Sequence, residues 1–125
     1  MVVGYGGFGG AVCGGGVVAY RGSDGAMLWH FDLKRFSKRE HFYARLHSVF
    51  SSPAVADVDG DGKMEVGFGA FDRNIYLLNA DGTLRWYYHA ADTVWSSPAF
   101  ADVNADGKLE MIIGSDMTQN LNMPS

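Results

Sequence analysis

The chain has 125 residues, 47% hydrophobic and 19% charged, with 17 glycines, three prolines and a formal charge of −4. This length allows one domain at most, and the acidic balance argues against a general nucleic-acid binder. A single cysteine, Cys13, excludes an internal disulfide and reads as a buried spectator thiol, and no apolar run approaches the ~20 residues of a membrane helix.

Taken from its start, the chain opens on Met1-Val-Val-Gly-Tyr-Gly6, a short strand running into glycine-rich sequence. Gly4-Tyr-Gly6-Gly-Phe-Gly9 satisfies a G-x-G-x-x-G search, but only three residues precede Gly4 and more glycine follows. An inter-strand loop is the better reading than a dinucleotide site, which needs a strand before and a helix after. Next comes Val18-Ala-Tyr-Arg-Gly-Ser-Asp-Gly-Ala-Met-Leu-Trp29, with an Asp-Gly turn signal followed by a tryptophan. Residues 32–47 then carry five of the ten basic residues, Lys34, Arg35, Lys38, Arg39 and Arg45, interleaved with Phe36, Phe42 and Tyr43. This segment is expected to be a solvated loop with one or two helical turns over 37–46. Its charge makes it the candidate site for a protein partner or an acidic glycan. Strands are predicted at 49–56, 64–70, 74–79 and 83–89, with Asn-Ala-Asp-Gly at 79–82 turning the third into the fourth. Pro53 and Pro98 sit near strand starts, where a missing N–H is tolerated.

Two internal repeats organise these elements. Phe50-Ser-Ser-Pro-Ala-Val-Ala-Asp-Val-Asp-Gly-Asp-Gly-Lys-Met-Glu65 returns 45 residues later, without a gap, as Trp95-Ser-Ser-Pro-Ala-Phe-Ala-Asp-Val-Asn-Ala-Asp-Gly-Lys-Leu-Glu110. The Asp-Gly…Trp segment ending at Trp29 returns at an offset of 57, ending at Trp86; the difference of 12 is the basic insertion. A period near 45 residues fits a four-stranded propeller blade. The expected fold is therefore all-β, built from blades of four antiparallel strands, a partial propeller of about two blades' worth. Residues 1–31 end one blade, 32–47 form the insertion, 48–90 make a complete blade, 91–116 start the next, and 117–125 are a tail. Such content reads as a piece of a longer protein, with open blade edges that invite association.

Seven of the fourteen acidic residues fall in two windows, 57–65 and 102–110. In Asp57-Val-Asp59-Gly-Asp61-Gly-Lys63-Met-Glu65, side-chain oxygens stand at positions 1, 3, 5 and 9, and the Lys63 carbonyl offers a ligand at position 7. Calcium takes six to eight hard oxygen ligands, and a loop curling round an ion presents alternate residues inward. Asp102-Val-Asn104-Ala-Asp106-Gly-Lys108-Leu-Glu110 repeats the pattern with Asn104 in place of one carboxylate, so weaker binding is expected there. The helix-loop-helix calcium hand is excluded, because its closing Glu stands at position 12 and helices flank it. Two bound Ca2+ ions would bring the formal charge from −4 to 0.

At these residues the chain resembles the FG-GAP and VCBS-type calcium-binding repeats of β-propellers, as in integrin α-chains and bacterial surface proteins. The resemblance carries the calcium positions onto Asp57, Asp59, Asp61 and Glu65, and onto Asp102, Asn104, Asp106 and Glu110. Val66-Gly-Phe-Gly and Met111-Ile-Ile-Gly look like that family's second strand, while the Asp-Gly…Trp segments look like quinoprotein-type repeats. The resemblance implies a structural scaffold for adhesion or recognition, not an enzyme, placed outside the cell or at its surface. Part of a propeller enzyme, such as a polysaccharide lyase or quinoprotein dehydrogenase, is the alternative. Trp29, Trp86 and Trp95 are expected to pack between blades, and His30, His41, His47 and His89 show no ligand spacing.

Overall fold

The computed structural model describes residues 1–6, 14–39 and 47–116. The fold is all-β, and the described residues form three antiparallel sheets and one short helix: β1 (Val2–Tyr5), β2 (Gly16–Tyr20) and β3 (Met27–Asp32) form the first sheet. Helix α1 (Leu33–Arg39) follows, then β4 (Ala54–Ala56), β5 (Glu65–Gly69), β6 (Asn74–Leu78) and β7 (Leu84–His89) as a four-stranded meander, and β8 (Ala99–Ala101) with β9 (Glu110–Ile112) as a third sheet. Neighbours in sequence are neighbours in each sheet, the outcome favoured by short turns between antiparallel strands. Cys13, His41, Phe42, Tyr43, Arg45 and the tail 117–125 lie outside the described residues.

The repeats in sequence are repeats in structure. β4 pairs with β5 as Ala54↔Gly67, Val55↔Val66 and Ala56↔Glu65; β8 pairs with β9 as Ala99↔Ile112, Phe100↔Met111 and Ala101↔Glu110. Both Asp-Gly hairpins carry a bulge at the same place: β2–β3 shifts register between Ala19 and Tyr20, and β6–β7 between Leu77 and Leu78. The residues skipped are Leu28 and Arg85, at matching repeat positions. A bulge re-aims the side chain it carries, and for Arg85 this matters below.

The core lies between the first and second sheets. Val17, Leu33, Phe36, Val49, Val66, Phe68, Tyr76 and Leu78 are buried together, with Trp29, Phe31 and Leu84 packed against them. Phe31 meets Phe68 and Tyr76 edge-on, at ring-centroid distances of 6.2 and 5.6 Å. The third sheet closes on the second through glycines: a Cβ at Gly67 would fall 2.5 Å from Met111 Sδ, and one at Gly69 only 2.1 Å from Val94 Cγ1. A side chain at either place would drive the sheets apart.

Two sequence expectations change here. The insertion does not begin as a solvated loop: α1 occupies 33–39, starting before the expected 37–46 and overlapping it at 37–39, with 40–46 outside the described residues, and it buries Leu33, Phe36 and Ser37. Asp32 sets its start by accepting the Arg35 N–H at 2.8 Å, the usual job of an N-cap carboxylate, and Leu33 and Phe36 share the face turned to the core. The strand expected at 49–56 shortens to 54–56. Ser51 Oγ donates to Gly69 O at 2.9 Å, and the Ser52 N–H donates to Ser97 Oγ at 2.9 Å. These bonds turn the segment toward β5 and toward its repeat mate rather than into a ladder.

Candidate metal centre

The first acidic loop links β4 to β5 and folds around its own carboxylates. Asp57 Oδ1 accepts the N–H groups of Gly60 and Asp61 at 2.8 and 3.1 Å, and its Oδ2 accepts that of Gly62 at 2.8 Å. Asp59 Oδ1 accepts the Asp61 N–H at 3.2 Å, and Asp61 Oδ1 the Lys63 N–H at 2.8 Å. These bonds each use one lone pair and hold the carboxylates facing one another. One oxygen from each of Asp57, Asp59 and Asp61 lies within 4.8 Å of the others, a group able to hold a metal ion. Gly60 and Gly62 make the required bends with φ of 77° and 85°, in the left-handed region.

Glu65 takes a different post. It is 2% exposed, at the first position of β5, and its Oε2 accepts the Val58 N–H at 2.9 Å. It pins the loop from beneath, while the three aspartates converge above.

The second loop has the same build. Asp102 accepts the N–H groups of Asp106 and Gly107 at 3.1 and 2.8 Å, Asn104 Oδ1 that of Asp106 at 3.2 Å, Asp106 that of Lys108 at 2.9 Å, and Glu110 that of Val103 at 2.9 Å. It differs in two ways that both weaken a cation site. Asn104 removes a charge, and Ala105 holds φ at 61° where the first loop has Gly60. A left-handed alanine costs about 1–2 kcal/mol.

One residue was invisible to sequence reasoning. Arg85, aimed by the β6–β7 bulge, reaches Asp59 Oδ2 with Nη2 at 2.7 Å and approaches Glu65 Oε2 with Nη1 at 3.9 Å. The guanidinium holds the Asp59 carboxyl below its ordinary range, chiefly through this hydrogen bond, and is itself raised by Asp59. Arg85, Asp61, Lys63, Glu65, Asn79, Ala80 and Asp81 line an open cavity beside the loop. The residues present fit a hard cation: three converging carboxylates, with a protein cation already satisfying part of their charge.

A second polar cluster stands at the opposite end of the same sheet. Asp72, in the β5–β6 turn, is buried; it accepts the Asn74 N–H at 3.1 Å and the Tyr76 hydroxyl. Asn74 Nδ2 donates to Tyr76 Oη at 3.0 Å, and Asn74 Oδ1 meets His89 Nδ1 at 2.8 Å. Burial pushes the Asp72 carboxyl up to about 6, against the opposing pull of these hydrogen bonds. A folded-state value above the unfolded one means stability present at low pH and lost as pH rises through about 6. The shift of roughly two units corresponds to up to about 3 kcal/mol. Urea melts from pH 4.5 to 7.5, with chelator present to silence the acidic loops, should therefore show a loss from Asp72 up to about pH 6, set against the gain that the lowered His47 gives with rising pH. Asp72→Asn should flatten that slope, and parallel curves for the two proteins would refute the assignment.

The remaining sequence candidates are dispersed. Trp29 packs between sheets, its Nε1 donating to Ala80 O at 3.1 Å. Trp95, itself exposed, packs on the exposed Phe50 and the buried Phe71 at centroid distances of 5.9 and 4.5 Å. His30 pairs with Tyr5, and His47 with Ser37 at 2.8 Å; burial, then Lys34, lowers the His47 imidazole. Among the described residues no histidine joins the aspartate group, and no helix is long and apolar enough to cross a membrane.

No family model matches the chain. Over 74 residues, 59% of the chain, it is 32% identical to proteins named lambda-carrageenase from a Pseudoalteromonas species and from Pseudoalteromonas carrageenovora. The chain spans about 6% of the length of these curated relatives.

Proposed function

We propose that this chain is a calcium-binding repeat segment of a β-propeller, resembling FG-GAP and VCBS repeats, whose acidic loops are structural. The observation that carries the reading is the convergence of Asp57, Asp59 and Asp61 within 4.8 Å in a loop whose hydrogen bonding is reproduced in the second repeat. Asp57, Asp59 and Asp61 would hold the first ion, with the Lys63 carbonyl and Glu65 behind them; Asp102, Asn104 and Asp106 would hold the second, with the Lys108 carbonyl and Glu110 behind them. Bound calcium neutralises each loop and fixes the turn between the first two strands of a blade. The four-stranded order β4-β5-β6-β7 and the recurrence of its first half in β8–β9 support the blade reading.

Scaffolding for adhesion or recognition follows from the repeat resemblance, and extracellular placement suits calcium at millimolar levels. A second reading is favoured by the match to carrageenases: the segment belongs to the scaffold of a polysaccharide-degrading enzyme. In that setting the cations Lys34 and Arg35, both exposed on α1, face solvent where an acidic glycan could pass.

Calorimetric titration tests the metal. Up to two sites should appear, calcium preferred to magnesium, because magnesium demands tighter octahedral geometry. Asp61→Ala should cost more affinity than Asp106→Ala, since the first loop has the extra carboxylate and no strained alanine. Absence of heat and of any thermal shift at millimolar calcium would refute the proposal.

A further inference from the structure

The two ends of the second sheet differ in chemistry. The β4–β5 loop and the β6–β7 turn close one end and carry Asp57, Asp59, Asp61 and Asp81. The other end is closed by the β5–β6 turn, 70–73, with the segments 47–53 and 90–97 on either side of it. Among the described residues, exposed cations at this end are Arg73, in the turn, and Lys34 and Arg35 on α1, which is tied to the end by the bond between Ser37 and His47. Two acids, Asp92 and Asp116, share it, the Asp116 N–H donating to Thr93 O at 2.9 Å. Asp32 is engaged in capping α1, and Asp72 is buried.

Three aromatic side chains are assembled here. The buried Phe71 donates its N–H to Ser48 O at 2.9 Å, and Ala70 O accepts the Val94 N–H at 3.2 Å, so the turn is tied to both segments that carry the other two rings. Phe50 and Trp95 rest on Phe71 at centroid distances of 4.6 and 4.5 Å. They lie 23° from parallel with each other, their centroids 5.9 Å apart. The 45-residue repeat supplies the pair, since Phe50 and Trp95 hold the same repeat position. Phe50 has neighbours on both sides: Val49 next to it bonds Tyr5 O on β1 at 3.2 Å, and Trp95 stacks against it. It is still 38% exposed, and Trp95 is 49% exposed. The flat aromatic surface therefore belongs to the seam between the second and third sheets and is built wholly within residues 47–97.

Arg73, two residues from Phe71, adds a strained backbone. Its φ of 69° lies in the left-handed region, and the Ala90 N–H fixes that conformation by donating to Arg73 O at 2.7 Å. A non-glycine residue held this way is the kind of outlier that gathers at ligand sites. Its side chain makes no ion pair among the described residues.

We propose that this end of the sheets binds an anionic polysaccharide, a sugar ring lying on Phe50 and Trp95 and its sulfate or carboxylate group paired with Arg73. The occupant follows from shape and charge. Two near-parallel rings make a flat surface, not the pocket that a peptide anchor fills. A sugar ring offers a flat C–H face to aromatic carbon and keeps its hydroxyls in water round the rim. A guanidinium matches sulfate and carboxylate oxygens in pairs, and Lys34 and Arg35 carry the positive charge further along the same end. The inference extends the polysaccharide reading above, and the site needs no calcium, because the acidic loops stand at the other end.

Calorimetry on the whole chain with chelator present tests it, using a sulfated galactan, polygalacturonate, an unsulfated galactan and polyphosphate as probes. One of the two anionic glycans should bind, the unsulfated galactan and polyphosphate more weakly, since each lacks half of the recognised chemistry. Trp95→Ala should weaken binding roughly threefold to tenfold. Arg73→Gly suits the left-handed turn, so it should melt close to the parent while losing affinity for the anionic glycan and flattening its salt dependence. No binding of either anionic glycan at millimolar sugar would overturn the proposal. So would polyphosphate binding as tightly as the glycans and unchanged in Trp95→Ala, which would mean charge attraction alone, or full glycan affinity in Arg73→Gly. Calcium titration of the same samples keeps the readings apart: glycan binding by a chain that takes no calcium removes the metal assignment and leaves this site standing, and the reverse result does the opposite.

Discussion

Tyr76→Ala should cost about 3–5 kcal/mol, a large share of the roughly 5–15 kcal/mol that keeps a domain folded. Tyr76 is fully buried at the centre of the aromatic packing, with ring centroids of Phe68, Phe36, Phe31 and Tyr87 at 5.0, 5.5, 5.6 and 6.2 Å. It joins α1, the first sheet and the second, so its loss opens a cavity that no single element can collapse to fill. The hydroxyl adds a separate contribution: it donates to Asp72 and accepts from Asn74 Nδ2 at 3.0 Å. Tyr76→Phe keeps the ring and leaves those two buried partners short of a bond, at about 1–3 kcal/mol. It should also push the Asp72 carboxyl higher still, steepening the loss of stability with rising pH. Chemical unfolding at neutral pH with calcium present measures both. An alanine variant melting within a few degrees of the parent would show that the core is not organised around this ring.

Much of this fold was legible because its signals are local and repeated. The strands expected at 64–70, 74–79 and 83–89 stand at 65–69, 74–78 and 84–89. Their boundaries follow from Asp-Gly turns and β-branched or aromatic runs, which need no tertiary information. The convergence of Asp57, Asp59 and Asp61 was legible for the same reason, since a tight loop imposes its own geometry. Three features were not. Helix α1 was hidden by its basic residues, although Asp32, Leu33 and Phe36 hold the cap and the apolar face that define it. The place of Glu65 beneath the loop depends on its pairing with Ala56 across the ladder, and spacing alone cannot distinguish a ligand from a support. Arg85 sits in a bulge on β7, two strands from the β4–β5 loop, and no local pattern connects it with Asp59, 26 residues earlier.

Arg85 and Asp57 together give the sharpest test of the metal site, because they should move calcium affinity in opposite directions. Asp57→Ala removes one of three converging carboxylates and the acceptor for the N–H groups of Gly60, Asp61 and Gly62. Affinity at the first loop should fall about a hundredfold or more, since even outer-shell losses cost 10–100-fold. The chain should also lose about 1–2 kcal/mol without metal, as when a helix cap is removed, because the loop's donors lose their partner. Arg85→Leu restores the residue type that the first repeat carries at this bulge, Leu28, and withdraws a positive charge from Asp59. Withdrawing that like charge from the edge of the site should let calcium bind several-fold tighter, on the order of tenfold. The difference should shrink as salt is raised, since the pair is solvent-exposed. The second loop should respond to neither change. Calorimetry on the two variants and the parent, in low and high salt, decides the matter. Weaker binding in Arg85→Leu would mean that the guanidinium orders Asp59 for the ion rather than competing with it. Unchanged binding in Asp57→Ala would remove the first loop from the metal assignment altogether.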